Sequence, residues 1–318
     1  MATKASSPVI IDEIQRLPEL LNEVHYLIEE HGIRFLLTGS SARKLRRGGA
    51  NLLAGRALRK ELFPLVTKEI GDYDILKIIN YGALPAIYNS TIPKEELTAY
   101  VGTYLKEEIQ AEGLVRRLDP FSRFLEIASL VNSELINFSN IASDLGVSSK
   151  TVKEYFLILE DTLVGHLLQP YQKTTKRKAV ATPKFYFFDV GVANILGHRK
   201  NIDFKTEVFG KCLEHFIFTE LRAYLSYTSD DRPLRFWRSR NRQEVDFMIG
   251  DDIAIEVKAS ERPTSRHYKG LLALSEEVDL KHKILVSLVD KPRKLDNGIL
   301  ILPYQYFLKE LWADAYSI

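Results

Sequence analysis

Apolar positions follow two different periods along this chain. Val9-Ile10-Ile11 is a β-branched run closed by Asp12-Glu13, the pattern of a buried parallel strand with an acidic pair at its C-terminal end. Leu20, Leu21, Val24, Leu27 and Ile28 then recur at helical spacing up to Glu30, and Gly32 ends that helix. Ile33 to Thr38 predicts a second buried strand. Strand, helix, strand implies part of a parallel α/β sheet over residues 1–70, and 71–118 reads as a mainly helical extension broken by Gly82, Pro85 and Pro93.

Between 119 and 190 the pattern predicts three helices: Phe121 to Val131, one following Asn137, and one capped by Ser148-Ser149 and running to about Leu159. Ala142, Gly146 and Val152 have the offsets of a helix-turn-helix, in which a small residue allows close approach, Gly turns, and an apolar residue packs back. Lys173, Lys176, Arg177, Lys178 and Lys184 form an acid-free stretch where the wing of a winged helix would lie, ahead of the strand Phe185 to Phe188. The unit therefore predicts a winged helix-turn-helix. Its candidate DNA contacts are Ser149, Lys150, Lys153, Lys176, Arg177 and Lys178, and a packing or protein-contact module is the alternative.

Residues 200–318 predict a compact α/β domain with a largely meandering sheet. A helix spans Phe209 to Tyr224, followed by strands at Leu234 to Trp237, Glu244 to Ile249 and Ile253 to Val257, a helix around 265–278, and strands at Lys283 to Leu288 and Gly298 to Leu302. Asp246 lies on one strand, Gly250 to Asp252 make the turn, and Glu256 and Lys258 share a face of the next strand. Two carboxylates beside a lysine would hold Mg²⁺ or Mn²⁺ and a water, with Lys258 as the catalytic cation. Glu214 on the preceding helix is a further candidate ligand, with Glu220 as the alternative. This set resembles the restriction-endonuclease-like PD-(D/E)-x-K fold, and a domain that keeps the residues without cleaving is the competing reading. The lead-in Trp237-Arg238-Ser239-Arg240 adds cations able to face phosphates.

Composition narrows the class. With 45% hydrophobic and 27% charged residues the chain has real cores, which excludes a disordered or disulfide-scaffold protein. The net charge of +2 favours no partner globally, so any phosphate chemistry must come from local patches. A single cysteine, Cys212, fits a reducing compartment, and no apolar run is long enough for a span, so a cytoplasmic protein without membrane contact is expected. The seven histidines show no zinc-like spacing.

The opening carries more specific chemistry. A strand ending in Asp-Glu can hold Mg²⁺ through water with the first carboxylate and polarise the attacking water with the second. Thr38-Gly39-Ser40 at the end of the next strand would lie beside it. Residues 31–60 hold eight Lys or Arg and no acid, the pattern of a phosphate-facing surface, or alternatively of a solvated one. The text IIDEIQRLPELL, FLLTGSSARKLRRG and LLAGRALRKELFPL resembles the AAA-type ATPases of archaea and bacteria that carry a C-terminal domain of unknown function. The resemblance implies Asp12 and Glu13 as the Walker B pair with Asp12 on the metal, Thr38 or Ser40 as sensor, and Arg56 as the arginine reaching a neighbouring subunit's nucleotide. It also implies ATP with Mg²⁺ as cofactor, and a homo-oligomer or a separately encoded upstream ATPase fragment as partner. No G-x-x-x-x-G-K-[ST] loop occurs in the sequence. The expectation is thus an N-terminally truncated AAA-family ATPase homologue, a multidomain α/β protein with a partial P-loop-type sheet, a DNA-binding winged helix and a nuclease-like domain. The alternatives are a Mg²⁺-dependent nuclease and a non-catalytic interaction scaffold.

Overall fold

The structure, a computed structural model, describes residues 7–39, 57–104 and 118–316. Strand β1 (Val9–Ile11) pairs in parallel with β2 (Phe35–Leu37), Ile11 opposite Leu37, across helix α1 (Leu20–His31). The strands form as the β-branched runs predict, but they are not buried. Ile10 is 65% and Leu36 52% exposed, since among the described residues the sheet has two strands and the burial in this region centres on Ile14, Leu21 and Val24. Gly32 ends α1 in the left-handed conformation, its N–H reaching the Ile28 carbonyl.

Helices α2 (Thr67–Ile70), α3 (Ile75–Tyr81), α4 (Pro85–Tyr88) and α5 (Pro93–Ala99) follow, with prolines at the first positions of α4 and α5. They are not an independent extension. Ile87, Leu97 and Val101 share one core with α6 (Leu118–Leu130), α7 (Phe138–Leu145) and α8 (Ser149–Asp161), while Ile75, Ile78 and Ile79 belong to the core of the C-terminal sheet. Asn137 caps α7, Gly146 turns in the left-handed region at φ 64°, and Ser148 caps α8. The predicted three-helix order is therefore present, with Ala142 and Val152 buried at the crossing.

Strand β3 (Gly165–Leu168) pairs antiparallel with β4 (Lys184–Phe187), and residues 132 and 135 bridge to the same strand. Helix α9 (Val190–Leu196) is capped by Asp189 and packs on α3. Gly191 is required there, since a Cβ would lie 2.3 Å from the Gly82 nitrogen.

The C-terminal domain runs through α10 (Glu207–Thr228), β5 (Leu234–Arg238), β6 (Glu244–Ile249), β7 (Ile253–Lys258), α11 (Lys269–Ser275), β8 (His282–Ser287), β9 (Arg293–Lys294), β10 (Leu300–Pro303) and α12 (Tyr304–Trp312). Its six-stranded sheet has the order β5-β6-β7-β8-β10-β9. The expected meander holds for β5 to β7 only. The crossover through α11 makes β8 parallel to β7, and β10 is parallel to β8. Trp237, Phe247 and Ile284 are fully buried in this sheet. No helix among the described residues is long and apolar enough to cross a membrane.

Candidate functional site

Two acidic constellations are present, one at the end of β1 and one built around the interior of β6 and β7. In the first, the backbone of Thr38 is stitched to the β1 end, its N–H donating to the Ile11 carbonyl at 3.0 Å and its carbonyl accepting from the Ile14 N–H at 3.0 Å. This pairing sets the Thr38 hydroxyl between two groups. It donates to Asp12 Oδ1 and accepts the Glu13 N–H at 3.2 Å. Glu13 adopts the left-handed region at φ 54°, and its Oε2 accepts from Gln15 Nε2 at 2.5 Å. Asp12, Glu13 and Thr38 thus lie together on an exposed edge. Ser40 and Arg56, and the basic residues between them, lie outside the described residues.

The second constellation is buried and denser. Gly250 at φ 61° turns β6 into β7, and Phe247 pairs with Ile255, which brings Asp246 alongside Glu256. The β5–β6 register slips here: Trp237 pairs with Val245 but Arg235 with Met248, so β6 carries an extra residue in the stretch containing Asp246. Asp246 Oδ2 accepts the Val257 N–H at 2.9 Å and Lys258 Nζ at 3.2 Å. Lys258 also meets Glu256 Oε1 at 2.6 Å. Glu214 joins from α10, so all four predicted residues converge.

The residue the sequence did not single out for this site is Lys184, at the start of β4. Its ammonium lies 3.1 Å from Glu214 Oε1, 2.6 Å from Glu244 Oε1 and 3.6 Å from Asp246 Oδ1, with the side chain only 3% exposed. Tyr186, two residues along β4, donates to the same Glu214 oxygen at 2.6 Å. Arg238 pairs with the far oxygen of Glu244 at 3.0 Å. Lysine at the head of the apolar Phe185 to Phe188 strand was the available signal, since a charge entering a buried strand needs a partner.

Electrostatics follow from burial and this pairing. Burial pushes the Glu256 carboxyl well up, with Asp246 adding to the effect and Lys258 opposing it. Burial also raises Glu214, against the Lys184 charge. For Asp246 the burial effect is overcome by Lys258, Lys184 and the Val257 N–H, leaving it below the usual carboxylate range. Lys184 would be lowered by burial, but Glu214, Tyr186, Asp246 and Glu244 hold it well above the usual lysine range. Four carboxylates then face two ammoniums and one guanidinium.

This corrects the metal reading. Among the described residues no group of three or more His, Cys, Asp or Glu side chains is arranged to hold a metal ion. Glu214, Asp246 and Glu256 are collected, but lysine nitrogens occupy the space between them. Asp12 stands apart on the N-terminal edge. The alternative Glu220 is not in the cluster either: it is buried, accepting from Thr67 N at 2.8 Å, Thr67 Oγ1 at 3.0 Å and Trp312 Nε1 at 2.7 Å, where it ties α2 to the sheet domain.

The basic stretch also differs from a free wing. Arg177 is spent on Glu276 at 2.5 Å and Glu277 at 3.3 Å, Lys173 on Asp251 at 2.5 Å, and Lys184 in the carboxylate cluster. Backbone bonds from Tyr171 to Phe236 and from Val180 to Arg238 lay the segment along β5. Lys176 and Lys178 remain exposed. On α8, Lys150 and Lys153 are exposed and Ser149 is half-buried, and Lys153 lies over the Phe138 ring at 5.4 Å.

Comparison with known proteins divides the chain in three. Residues 1–71 match an AAA domain family, 72–203 a domain of unknown function (DUF8612), and 209–307 a domain of unknown function (DUF4143). The AAA match covers the first 71 residues, and the other two matches are to domains of unknown function. The second match spans both the helical extension and the three-helix unit, in keeping with their shared core. An uncharacterized protein of Methanocaldococcus jannaschii is 25% identical over 277 residues, covering 78% of this chain and 60% of that protein. The chain thus spans less than two thirds of that relative's length. No solved structure matches significantly.

Proposed function

We propose that this chain is an AAA-type ATPase homologue in which residues 9–38 supply the metal and water side of a nucleotide site and residues 118–187 form a winged helix that touches DNA. The observation that carries the nucleotide reading is the Thr38 hydroxyl joined to Asp12 across the ends of adjacent parallel strands. In this arrangement Asp12 holds Mg²⁺ through water, Glu13 polarises the attacking water, and Thr38 or Ser40 senses the γ-phosphate, with Arg56 acting across an oligomer. The 318 residues carry no Gly-rich phosphate loop, whose backbone N–H groups and lysine bind the β- and γ-phosphates. They are therefore expected to hydrolyse ATP no faster than their Glu13→Gln variant. Appending a strand–G-x-x-x-x-G-K-[ST]–helix segment should bring turnover that Asp12→Asn and Glu13→Gln each abolish. Turnover by the appended protein that ignores both substitutions would contradict the carboxylate assignment.

The DNA reading is favoured by the exposed Lys150 and Lys153 on the second helix of the helix–turn–helix and by Lys176 and Lys178 beside it. Four phosphate contacts predict an affinity loss of about a hundredfold between about 50 and 200 mM salt. A Lys150→Glu/Lys153→Glu variant should flatten that slope by about two contacts. Salt-independent or absent binding would favour the protein-interaction scaffold instead. A Mg²⁺-dependent PD-(D/E)-x-K nuclease is the weaker alternative for the C-terminal domain, because Lys184 already neutralises the carboxylates such a reaction needs.

A further inference from the structure

We infer that a cavity between residues 59–64, the α8–β3 connection and helix α10 is a binding site for a guanine-type base. The cavity holds about 240 Å³, short of the about 300–1,000 Å³ that drug-sized ligands take, so its occupant is a single flat ring system. It shares no residue with the Asp12, Glu13 and Thr38 group or with the candidate DNA contacts.

Arg222 carries the recognition. Its guanidinium lies 5.2 Å from the Phe63 ring centre and 5.9 Å from that of Phe218, so aromatic faces cover it and leave its edge for hydrogen bonding. Among the described residues only one of its N–H groups is taken, by Glu61 Oε2 at 3.1 Å. A guanidinium presents a fixed fork of N–H donors, and a half-buried one with unused donors calls for a paired acceptor.

Charge then decides the occupant. Arg59 and Arg222 both pair with Glu61, Arg59 at 3.0 Å, and Glu160 supplies the second carboxylate of the lining. His166, 3.7 Å from Glu160, is kept neutral, because burial and the Arg222 charge hold its pKa down to about 3. The walls are already balanced, and a charged ligand would leave a charge without a partner. A neutral ring with paired acceptors for Arg222 and a donor edge for Glu160 fits. Guanine offers both, with N7 and O6 on one edge and its N–H groups on the other. Phe188 gives the ring an aromatic wall. Leu163 adds an independent observation. It follows α8 in the left-handed region at φ 60°, a position usually given to glycine, yet keeps a side chain that lines the cavity.

The test is calorimetric titration of the full chain with guanosine, adenosine and benzoate. Guanosine should bind with a Kd below about 1 mM. Adenosine, whose N6 amine puts a donor where Arg222 needs an acceptor, should bind about tenfold more weakly. Benzoate, flat but charged, should not bind. Arg222→Lys keeps the charge but loses the fork and should weaken guanosine binding about tenfold. Should that variant fail to fold, Leu163→Gly, which relieves the backbone strain, should fold and still lose affinity for guanosine. A single-stranded oligonucleotide with one guanine among thymines, titrated beside guanosine, tells a base in a strand from a free one: the tighter binder is the source. Binding of neither form to the native chain, or equal binding of adenosine or benzoate, would overturn the inference. Unchanged guanosine affinity in folded Arg222→Lys or Leu163→Gly protein would overturn it equally.

Discussion

The two acidic clusters of this molecule use the same residue types in opposite environments. Asp12 and Glu13 close a three-residue strand in a sheet that has two strands among the described residues, and their carboxylates meet the Thr38 hydroxyl, the Gln15 amide and, at 3.9 Å, the Arg16 guanidinium. Asp246 and Glu256 sit within a six-stranded sheet at 3% and 6% exposure, and their partners are ammonium groups and, for Asp246, the Val257 N–H. A carboxylate at the surface needs no counter-charge, because water solvates it. A buried one is tolerated only when paired, so each buried acid predicts a buried base. Lys184 and Lys258 meet that requirement, and their presence makes the C-terminal cluster an ionic tie between β4 and the sheet domain. The N-terminal pair, by contrast, forms no buried tie between elements of the two domains.

The largest effect expected from this contrast comes from breaking the buried tie. Lys184→Met strands Glu214, Glu244 and Asp246 without their shared cation and should destabilise the protein by about 3–5 kcal/mol in urea unfolding. Phe247→Ala, at a fully buried position of the same sheet, should cost about the same through cavity formation. Ile10→Thr, by contrast, alters a side chain already 65% exposed and should change stability by no more than about 0.5 kcal/mol. If Ile10→Thr proved as costly as Phe247→Ala, the N-terminal sheet would be covered in solution and the contrast would fail.

A pH series sharpens the comparison further. Burial pushes Glu220 up to about 7, against donors from Trp312 and Thr67 and with Glu69 adding to the rise. The folded protein therefore holds a proton that the unfolded chain releases near the ordinary value of 4.5. Its contribution is fully present below that value and is lost as pH rises through about 7. The melting-temperature advantage of the native chain over Glu220→Gln should thus shrink from about pH 5 to about pH 8. An advantage that grew with pH would mean that the three donors hold Glu220 ionised.

Short-range spacing made part of this architecture legible. Ala142, Gly146 and Val152 announce the helix–turn–helix because capping and close packing are local requirements, and Asp246, Gly250 and Glu256 announce the hairpin because a turn fixes which residues face each other. The resemblance at Asp12-Glu13 and Thr38 found a neighbourhood that the parallel pairing then formed. What stayed hidden depended on distant chain. Lys184 meets Glu214 from 30 residues away, and a basic run reads as a phosphate surface until its acidic partners are known. The exposure of β1 and β2 was equally hidden, since β-branched runs report the capacity to be buried and not the presence of a cover. The β7–β8 crossover escaped for a related reason: strand pattern alone does not say whether an intervening helix returns the chain in parallel.

The most direct measurement is a double-mutant cycle on the full chain, comparing urea unfolding of the native protein, Lys184→Met, Glu244→Gln and Lys184→Met/Glu244→Gln. If Lys184 is the counter-cation of a buried carboxylate cluster, the double variant will be more stable than Lys184→Met alone, with a coupling of about 0.5–3 kcal/mol. Additive losses, with the double variant less stable than either single one, would show that the 2.6 Å contact between these residues carries no energy and would contradict the account.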